Sequence, residues 1–308
     1  MSPTPRPPAS RLEQLLRSRQ FVITSEITPP VSCNADDLLR KAEPLRGLAD
    51  AVNVTDGASA RAHLSAPIAA AILAREGIEP ILQLTCRDRN RIALQADLMG
   101  AAACGVRNLL CLTGDDPKAG DQPDTKPVFD VDSTALTRMA RDLRDKNELP
   151  SGRKVAGSAP FFLGAADAPI DPPAGWTPDK LAAKIAAGAE FAQTQFCMDT
   201  AIARRYAERL NEHTATRGFF LLIGIAPLRS AKSARWMKEN LFGTIIPEAF
   251  VERLEKAADP AAEGQRIAIE LIAELATIPG IAGVHVMAPA NEGAVPAVIT
   301  EARKRLPG

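Results

Sequence analysis

Residues 21–34 read FVITSEITPPVSCN, and the residues just after the apolar run decide the fold class. The run at 21–27 is short and rich in Val and Ile, the composition of a strand buried on both faces of a parallel sheet. In a doubly wound dinucleotide-binding sheet, the first strand usually leads into G-x-G-x-x-G. Here the strand leads into TPPVSCN, with no glycine, and no phosphate-binding P-loop motif occurs anywhere in the chain.

Similar runs recur outward from that stretch. They lie at 51–55, 80–86, 106–113, 154–161, 191–196, 219–225 and 283–287, so the chain offers eight candidate strands. FAQTQF at 191–196 is the least strand-like in composition. Helical periodicity fills the gaps. Leu38, Ala42, Leu45 and Leu48 share a face, as do Leu136, Met139, Ala140 and Leu143, and again Ile267, Leu271, Leu275 and Ile278. Asn34 reads as an N-cap, and Thr177-Pro178-Asp179 reads as N-cap, N1 and N2. Eight β-α alternations predict an α/β protein, a single (β/α)8 TIM barrel. A length of 308 residues permits two domains, but one barrel of roughly 250 residues accounts for it. We expect a flexible Pro-rich tail at 1–12 and a barrel at 13–308.

Composition narrows the function classes. Lys+Arg and Asp+Glu both number 37, so no basic excess marks the chain as a general nucleic-acid binder. No uncharged apolar run of about 18 residues suggests a membrane span. Residues 1–10 hold four prolines and no apolar segment of a secretory signal. The five cysteines, Cys33, Cys86, Cys104, Cys111 and Cys197, form no C-x-x-C pair. They point to no zinc site and fit a reducing cytoplasm. Aromatic residues make up only 4% of the chain, so Ala, Leu and Ile must fill the core.

In such a barrel the chemistry gathers at the C-terminal ends of the strands. Unusual polar residues stand there: Glu26, Thr55-Asp56-Gly57, Gln83, Thr85, Cys86, Thr113-Gly114-Asp115-Asp116-Pro117, and His285 in the last strand. Gln193 and Gln195, two apart, point to one side of strand six. The long segments 114–127 and 164–178 come after strands four and five and belong to the same face. Each residue also has an ordinary reading. Glu26 suits an ion pair, Gly114–Pro117 a turn, and Gln195 a bond to neighbouring backbone. His285 reads as a hydrogen-bonded core histidine, and Cys86 and Cys111 as small packing groups. The charges of CRDRNR at 86–91 read as a solvated helix start, with Arg87 or Arg89 within reach of an anion. The coincidence of several polar residues at one barrel end favours a site.

These stretches resemble the methylenetetrahydrofolate reductase family. The likeness runs through TSEITPP (24–30), VNVTDG (52–57), LQLTCRDRN (82–90), LLCLTGDDP (109–117), VFDVDS (128–133), KIAAGAEFAQTQF (184–196) and GIAPLRSAKSARWM (224–237). The resemblance implies a flavin-dependent barrel. In it NAD(P)H reduces FAD, which then reduces 5,10-methylenetetrahydrofolate to 5-methyltetrahydrofolate in a ping-pong sequence. Glu26 matches the family's general acid, Asp115 the aspartate that contacts the pterin and tunes the flavin, and Gln195 a folate-binding glutamine. Thr55, Leu112, Thr113, Gly114, Asp115, Phe129, Asp132, Ala156 and Lys184 fall at or near positions lining the FAD site. Gln83 joins them where the family has His, and Ala231 stands near a position that is aromatic in some members. Homo-oligomers are common in the family.

The chemistry agrees with these roles. Opening the folate ring needs a proton on a weakly basic nitrogen, which a desolvated carboxylic acid supplies. Glu26 sits in an apolar strand with no basic neighbour in sequence. A negative Asp115 disfavours the anionic reduced flavin and so promotes its oxidation by the folate. The isoalloxazine carries the redox step. Two other readings stay open: a reductase of this family that moves hydride directly from the nicotinamide, and a non-catalytic folate-binding or partner-binding barrel. The choice between NADH and NADPH stays open as well.

Overall fold

The structure, a computed structural model, describes residues 6–306. Its strands are β1 (Val22–Ile27), β2 (Ala51–Val54), β3 (Pro80–Thr85), β4 (Asn108–Leu112), β5 (Phe162–Asp167), β6 (Phe191–Phe196), β7 (Phe220–Ile225) and β8 (Ile281–Val286). Each pairs in parallel with the next, and β8 returns to β1, closing the expected barrel. The helices are α1 (Arg11–Arg17), α2 (Ala35–Ala42), α3 (Ala66–Arg75), α4 (Arg91–Ala103), α5 (Ser133–Lys146), α6 (Asp179–Ala187), α7 (Thr200–Glu212), α8 (Ala231–Asn240), α9 (Glu248–Lys256), α10 (Pro260–Leu275) and α11 (Val295–Arg303).

Side chains alternate along each strand. Outward residues such as Ile23, Val52, Leu82, Leu109, Leu163, Ile223 and Val284 pack with the helices in the main hydrophobic cluster. Inward residues change character along the strand. At the N-terminal ends Val22, Ala51, Ile81, Leu110, Phe162, Phe191 and Leu222 form a second cluster. Two residues on, the same faces carry Thr24, Asn53, Gln83 and Gln193, and two further Glu26, Thr55, Thr85 and Gln195. The lower half of the barrel is therefore packed, and the upper half is polar.

Helix α1 closes the packed end. Leu12 and Leu16 are buried in the same cluster as the inward strand residues. The carboxylate of Glu79 accepts the Arg11 and Leu12 backbone N–H groups at 3.0 and 2.8 Å. Glu13, wholly buried, accepts from Arg6, Arg17 and the Ala9 N–H at 2.9, 2.8 and 2.7 Å. The tail expected over 1–12 thus gives way, across residues 6–12, to an anchored segment and the start of a helix. Residues 1–5 of that expected tail lie outside the described residues. The motif RLEQLLR is two turns long, too short for periodicity to distinguish it from the Pro-rich stretch before it.

The fifth strand also differs from expectation. It is FLGAAD at Phe162–Asp167, and the residues at 154–161 belong to the connection before it. There Glu148 and Lys154 form an antiparallel bridge. Pro160 lacks the N–H a central strand must donate, while FLGAAD looks weak because it is rich in small residues. Packing explains the small residues: a Cβ on Gly164 would stand 2.4 Å from the Phe191 ring, which stacks on Phe162 with centroids 4.8 Å apart. FAQTQF forms β6 over its full length. At α6 the cap residue is Pro178, and Thr177 instead donates its hydroxyl to Asp179 at 2.9 Å.

Candidate active site

The upper mouth of the barrel opens into a cavity of about 960 Å³. Glu26 of β1, Thr55 after β2, Gln83 of β3, Leu112 of β4, Ala166 of β5, Gln195 of β6 and His285 of β8 line it. So do Thr113, Gly114 and Asp115 beyond β4, and Lys184 of α6. Most of the strand-end residues singled out from the sequence therefore share one space, while Cys86, Asp116 and Pro117 stand outside its lining.

Its floor is a buried polar layer. The amides of Asn53 and Gln193 bond reciprocally, at 2.6 and 3.0 Å. The Gln193 amide also donates to Thr24 Oγ1 at 3.0 Å. Thr24 Oγ1 lies 3.0 Å from His285 Nδ1 and 3.3 Å from the Val284 carbonyl. Donation along the shorter contact leaves the ring proton on Nε2. That atom faces Glu26, whose Oε2 is 3.6 Å away. His285 is thus a bonded core histidine, as the sequence suggested, and it is also the basic neighbour of Glu26 that sequence adjacency did not reveal.

The corner between β2 and β3 is built around Asp56. Its carboxylate accepts the Thr85 N–H, the Thr85 hydroxyl and the Arg89 guanidinium at 2.8, 2.9 and 2.7 Å. Arg89 also pairs with Asp97 at 2.8 Å, and Arg87 pairs with Asp88 at 2.7 Å. Arg87 is only 4% exposed. Arg87 is thus buried rather than part of the solvated helix start expected, because the loop beyond β4 packs over it, and Arg89 is partly buried through its pairs with Asp56 and Asp97. Gly114 permits that packing. Its φ is +96°, and a Cβ there would stand 2.9 Å from the Arg87 Cβ and 3.1 Å from the Thr85 Cβ. The turn leaves Asp115 exposed at the rim. Cys86 and Cys111 pack as small buried groups, and burial pushes their thiols up to about 11 and about 12.

The opposite wall joins Lys184, named from the sequence, to groups that sequence reasoning missed. Tyr206 of α7 donates its hydroxyl to Asp167 at 2.7 Å. Burial raises the Asp167 carboxyl above the usual aspartate range. Lys184 donates to the Ala166 carbonyl at 2.5 Å. Its ammonium titrates below an ordinary lysine, chiefly through burial and further through the like charge of Lys180, with Asp167 opposing. Lys180 and Lys184, four apart on α6, both line the cavity. Asp167 escapes a reading of the sequence because the fifth strand lies one segment later than its apolar pattern suggests, and its partners Tyr206 and Trp176 are missed with it.

That displacement also corrects Ala156. It is exposed in the connection preceding β5, at the N-terminal end of the barrel, and the β5 residues that line the cavity are Ala166 and Asp167. Phe129 and Asp132 line an adjoining depression of about 610 Å³, which shares Thr113 with the main cavity. Asp132 is also the N-cap of α5, accepting the Ala135 N–H at 2.7 Å. Phe129 holds a left-handed φ of 40°, a strained conformation for an aromatic residue. Gln195 takes its ordinary reading, a bond to neighbouring backbone. Its Oε1 accepts the Phe196 N–H at 3.0 Å, and its amide nitrogen has no partner among the described residues. Thr55 Oγ1 is buried without a partner among the described residues, an unmet group on the cavity wall. No helix among the described residues is long and apolar enough to cross a membrane.

Comparison with known proteins fits this geometry. The family model for methylenetetrahydrofolate reductase matches residues 11–303. The chain is 26% identical over 299 residues to a probable methylenetetrahydrofolate reductase (NADPH) of Caenorhabditis elegans, covering 92% of this chain and 42% of that protein. It is 25% identical over 224 residues to methylenetetrahydrofolate reductase 2 of Schizosaccharomyces pombe, covering 71% of this chain and 34% of that protein. The chain thus spans less than half the length of these two curated relatives. Among solved structures, a Clostridium thermocellum protein described as binding two copies of 5-methyl-5,6,7,8-tetrahydrofolic acid has a TM-score of 0.64 at 14% identity, covering 95% of this chain and 98% of that one. A 2,3-dimethylmalate lyase has a TM-score of 0.50 at 14% identity, covering 97% of this chain and 88% of that one. At those identities the structural likeness is one of fold. The match along nearly the whole barrel, with the strand-end residues gathered in one cavity, makes this chain a member of the methylenetetrahydrofolate reductase family.

Proposed function

We propose that the chain reduces 5,10-methylenetetrahydrofolate to 5-methyltetrahydrofolate with NAD(P)H, through resident FAD. The observation that carries the proposal is the convergence of Glu26, Asp115 and Gln195 on one cavity at the C-terminal mouth. The folate named for the Clostridium protein of the same fold supports a folate ligand, and the NADPH named for the nematode relative supports a nicotinamide reductant.

The residues present fit a flavin. Thr55 offers an unsatisfied hydroxyl, and the cavity continues past Thr113 into a second depression, as an elongated dinucleotide requires. Thr55, Gln83, Leu112, Thr113, Gly114, Asp115 and Lys184 would hold it, with Phe129 and Asp132 along the extension. Lys180 and Lys184 bring positive charge for a diphosphate. When bound, FAD supplies two-electron carriage between the nicotinamide and the folate.

The chain's own residues handle the proton. Glu26 protonates folate N10 as the bond from N10 to the methylene carbon breaks. That carbon takes up a hydride equivalent drawn from NAD(P)H, so the products are 5-methyltetrahydrofolate and NAD(P)⁺. His285, beside Glu26, orients its carboxyl group. Asp115 accepts from the pterin amino and ring N–H groups, and Gln195 donates its unpartnered amide to the same ligand. The free cysteines suit a reducing cytoplasm.

The test is the visible spectrum of the purified protein, and then turnover. Flavin bands bleached by NAD(P)H and restored by 5,10-methylenetetrahydrofolate uphold the proposal. Colourless protein that oxidises NAD(P)H only when the folate is present replaces it with direct transfer from the nicotinamide. Absence of turnover after FAD is added overturns it.

A further inference from the structure

Phe242 is the most exposed large apolar side chain among the described residues, at 90%, yet it lines the main cavity. Exposure alone decides nothing, since single apolar residues are common on protein surfaces. Its mounting is the informative feature.

The Thr244 N–H donates to the Leu241 carbonyl at 3.2 Å, closing a four-residue turn with Phe242 and Gly243 at its centre. Gly243 has a φ of +76°, the left-handed conformation that a type II turn demands at its third position. The turn is fixed to the end of β6. The Ile245 N–H donates to the Phe196 carbonyl and the Met198 N–H to the Ile245 carbonyl, both at 2.8 Å. Gly243 also packs closely inward: a Cβ there would stand 3.2 Å from the Ala168 Cβ and 3.7 Å from the Gln195 Cγ. The backbone beside Phe242 therefore rests against the glutamine whose amide is unpartnered.

The other aromatic residues on the wall are already engaged. Trp176 and Tyr206 pack together with centroids 5.4 Å apart, and the Tyr206 hydroxyl is held by Asp167. Phe242 alone offers free ring faces from an anchored base. Anchoring the backbone beneath an exposed apolar ring has no use to the folded chain by itself, but it spares a ligand the cost of ordering that turn.

Resting on the folate reading above, we infer that Phe242 is a substrate-binding residue whose ring covers the pterin while Gln195 bonds its polar edge. A planar heterocycle with donors and acceptors at its rim suits both groups at once. The pterin is favoured over the nicotinamide because the turn is seated directly on Gln195.

The test is titration with 5-methyltetrahydrofolate and, separately, with NADPH, of wild type, Phe242→Ala and Phe242→Trp. Loss of the ring should raise the folate Kd about tenfold, as loss of an aromatic stacking partner does. The melting temperature without ligand should stay unchanged. Phe242→Trp should retain affinity within about threefold, since stacking tolerates a change of ring. It should also add tryptophan emission that changes on folate binding, relative to wild type. Wild-type affinity in Phe242→Ala overturns the inference and leaves the folate reading standing. So does an effect confined to NADPH, or one confined to the oligomeric state by size-exclusion chromatography. Wild-type protein that binds no folate overturns both.

Discussion

At the N-terminal mouth of the barrel, Leu12 and Leu16 seal Val22, Ile81, Phe162, Phe191 and Leu222, and the acidic side chains of Glu13 and Glu190 are each met by arginines. At the C-terminal mouth the same strands carry Glu26, Thr55 and Gln195 facing a cavity. There the Thr55 hydroxyl and the Gln195 amide nitrogen lack partners among the described residues. Four residues separate the two regimes, from Val22 to Glu26 and from Phe191 to Gln195. A packed lower layer, its carboxylates paired although Asn108 Oδ1 is buried without a partner among the described residues, supplies rigidity, and it allows the upper layer to keep donors and acceptors free for a ligand. Stability and chemistry should therefore respond to different substitutions, although every strand contributes to both.

The largest expected effect breaks the upper mouth alone. Glu26→Gln should lower folate reduction by on the order of 10²–10⁴-fold, the range for loss of a general acid. NAD(P)H-driven flavin bleaching and thermal stability should persist. Folate reduction at the wild-type rate in a stopped-flow assay would remove Glu26 from the proton's path. Leu16→Ala is the counterpart below. Truncating a wholly buried leucine should destabilise the fold by about 2–5 kcal/mol in urea denaturation. Turnover per folded molecule should hold. A normal denaturation midpoint would mean that α1 is no part of the core.

The contrast between the mouths also explains what is legible in the sequence. Strands with branched apolar residues, such as FVITSEI, announce themselves, and the polar residues inside them point to the upper mouth. Glu26, Gln83 and Gln195 are therefore within reach of the strand pattern, Asp115 follows from the glycine turn after β4, and Lys184 comes into view only through the family resemblance. FLGAAD is hidden because its glycine is required by the Phe191 ring, a contact between residues far apart in the chain. Losing that strand carries Asp167 out of view and misdirects Ala156. The seal is hidden for a related reason: Leu12 and Leu16 take their meaning only from the ring of strand ends they cover. Phe242 gives no signal at all, because a turn seated on β6 brings it to Gln195.

Lys184→Met sharpens the comparison on the upper side. Removing a charge-assisted contact should weaken FAD binding roughly tenfold, measured by quenching of flavin fluorescence. The pH dependence has a definite sign. The Lys184 ammonium is held below the ordinary lysine value of 10.5, so its charge is lost earlier as pH rises. Wild-type FAD affinity should then fall in alkaline buffer before an unperturbed lysine would deprotonate. Lys184→Arg should abolish that fall, because guanidinium stays charged. Affinity that is indifferent both to the substitution and to pH would move the diphosphate away from α6.

The smallest effect belongs to the lower mouth, where redundancy protects each ion pair. Arg6 reaches both Glu13 and Glu190, at 2.9 and 3.1 Å. Without Arg6, Glu13 still accepts from Arg17 and the Ala9 N–H at 2.8 and 2.7 Å. Glu190 keeps Arg144 at 2.6 Å. Arg6→Ala therefore strands no buried carboxylate, and its cost should stay under about 1 kcal/mol, shrinking further in high salt. Glu13→Ala differs in kind, since it leaves two arginines and a backbone N–H without their common acceptor. Urea titrations of both variants at low and high salt decide the matter. An Arg6→Ala loss as large as that of Leu16→Ala would show that the N-terminal segment, rather than the leucines of α1, is what seals the barrel.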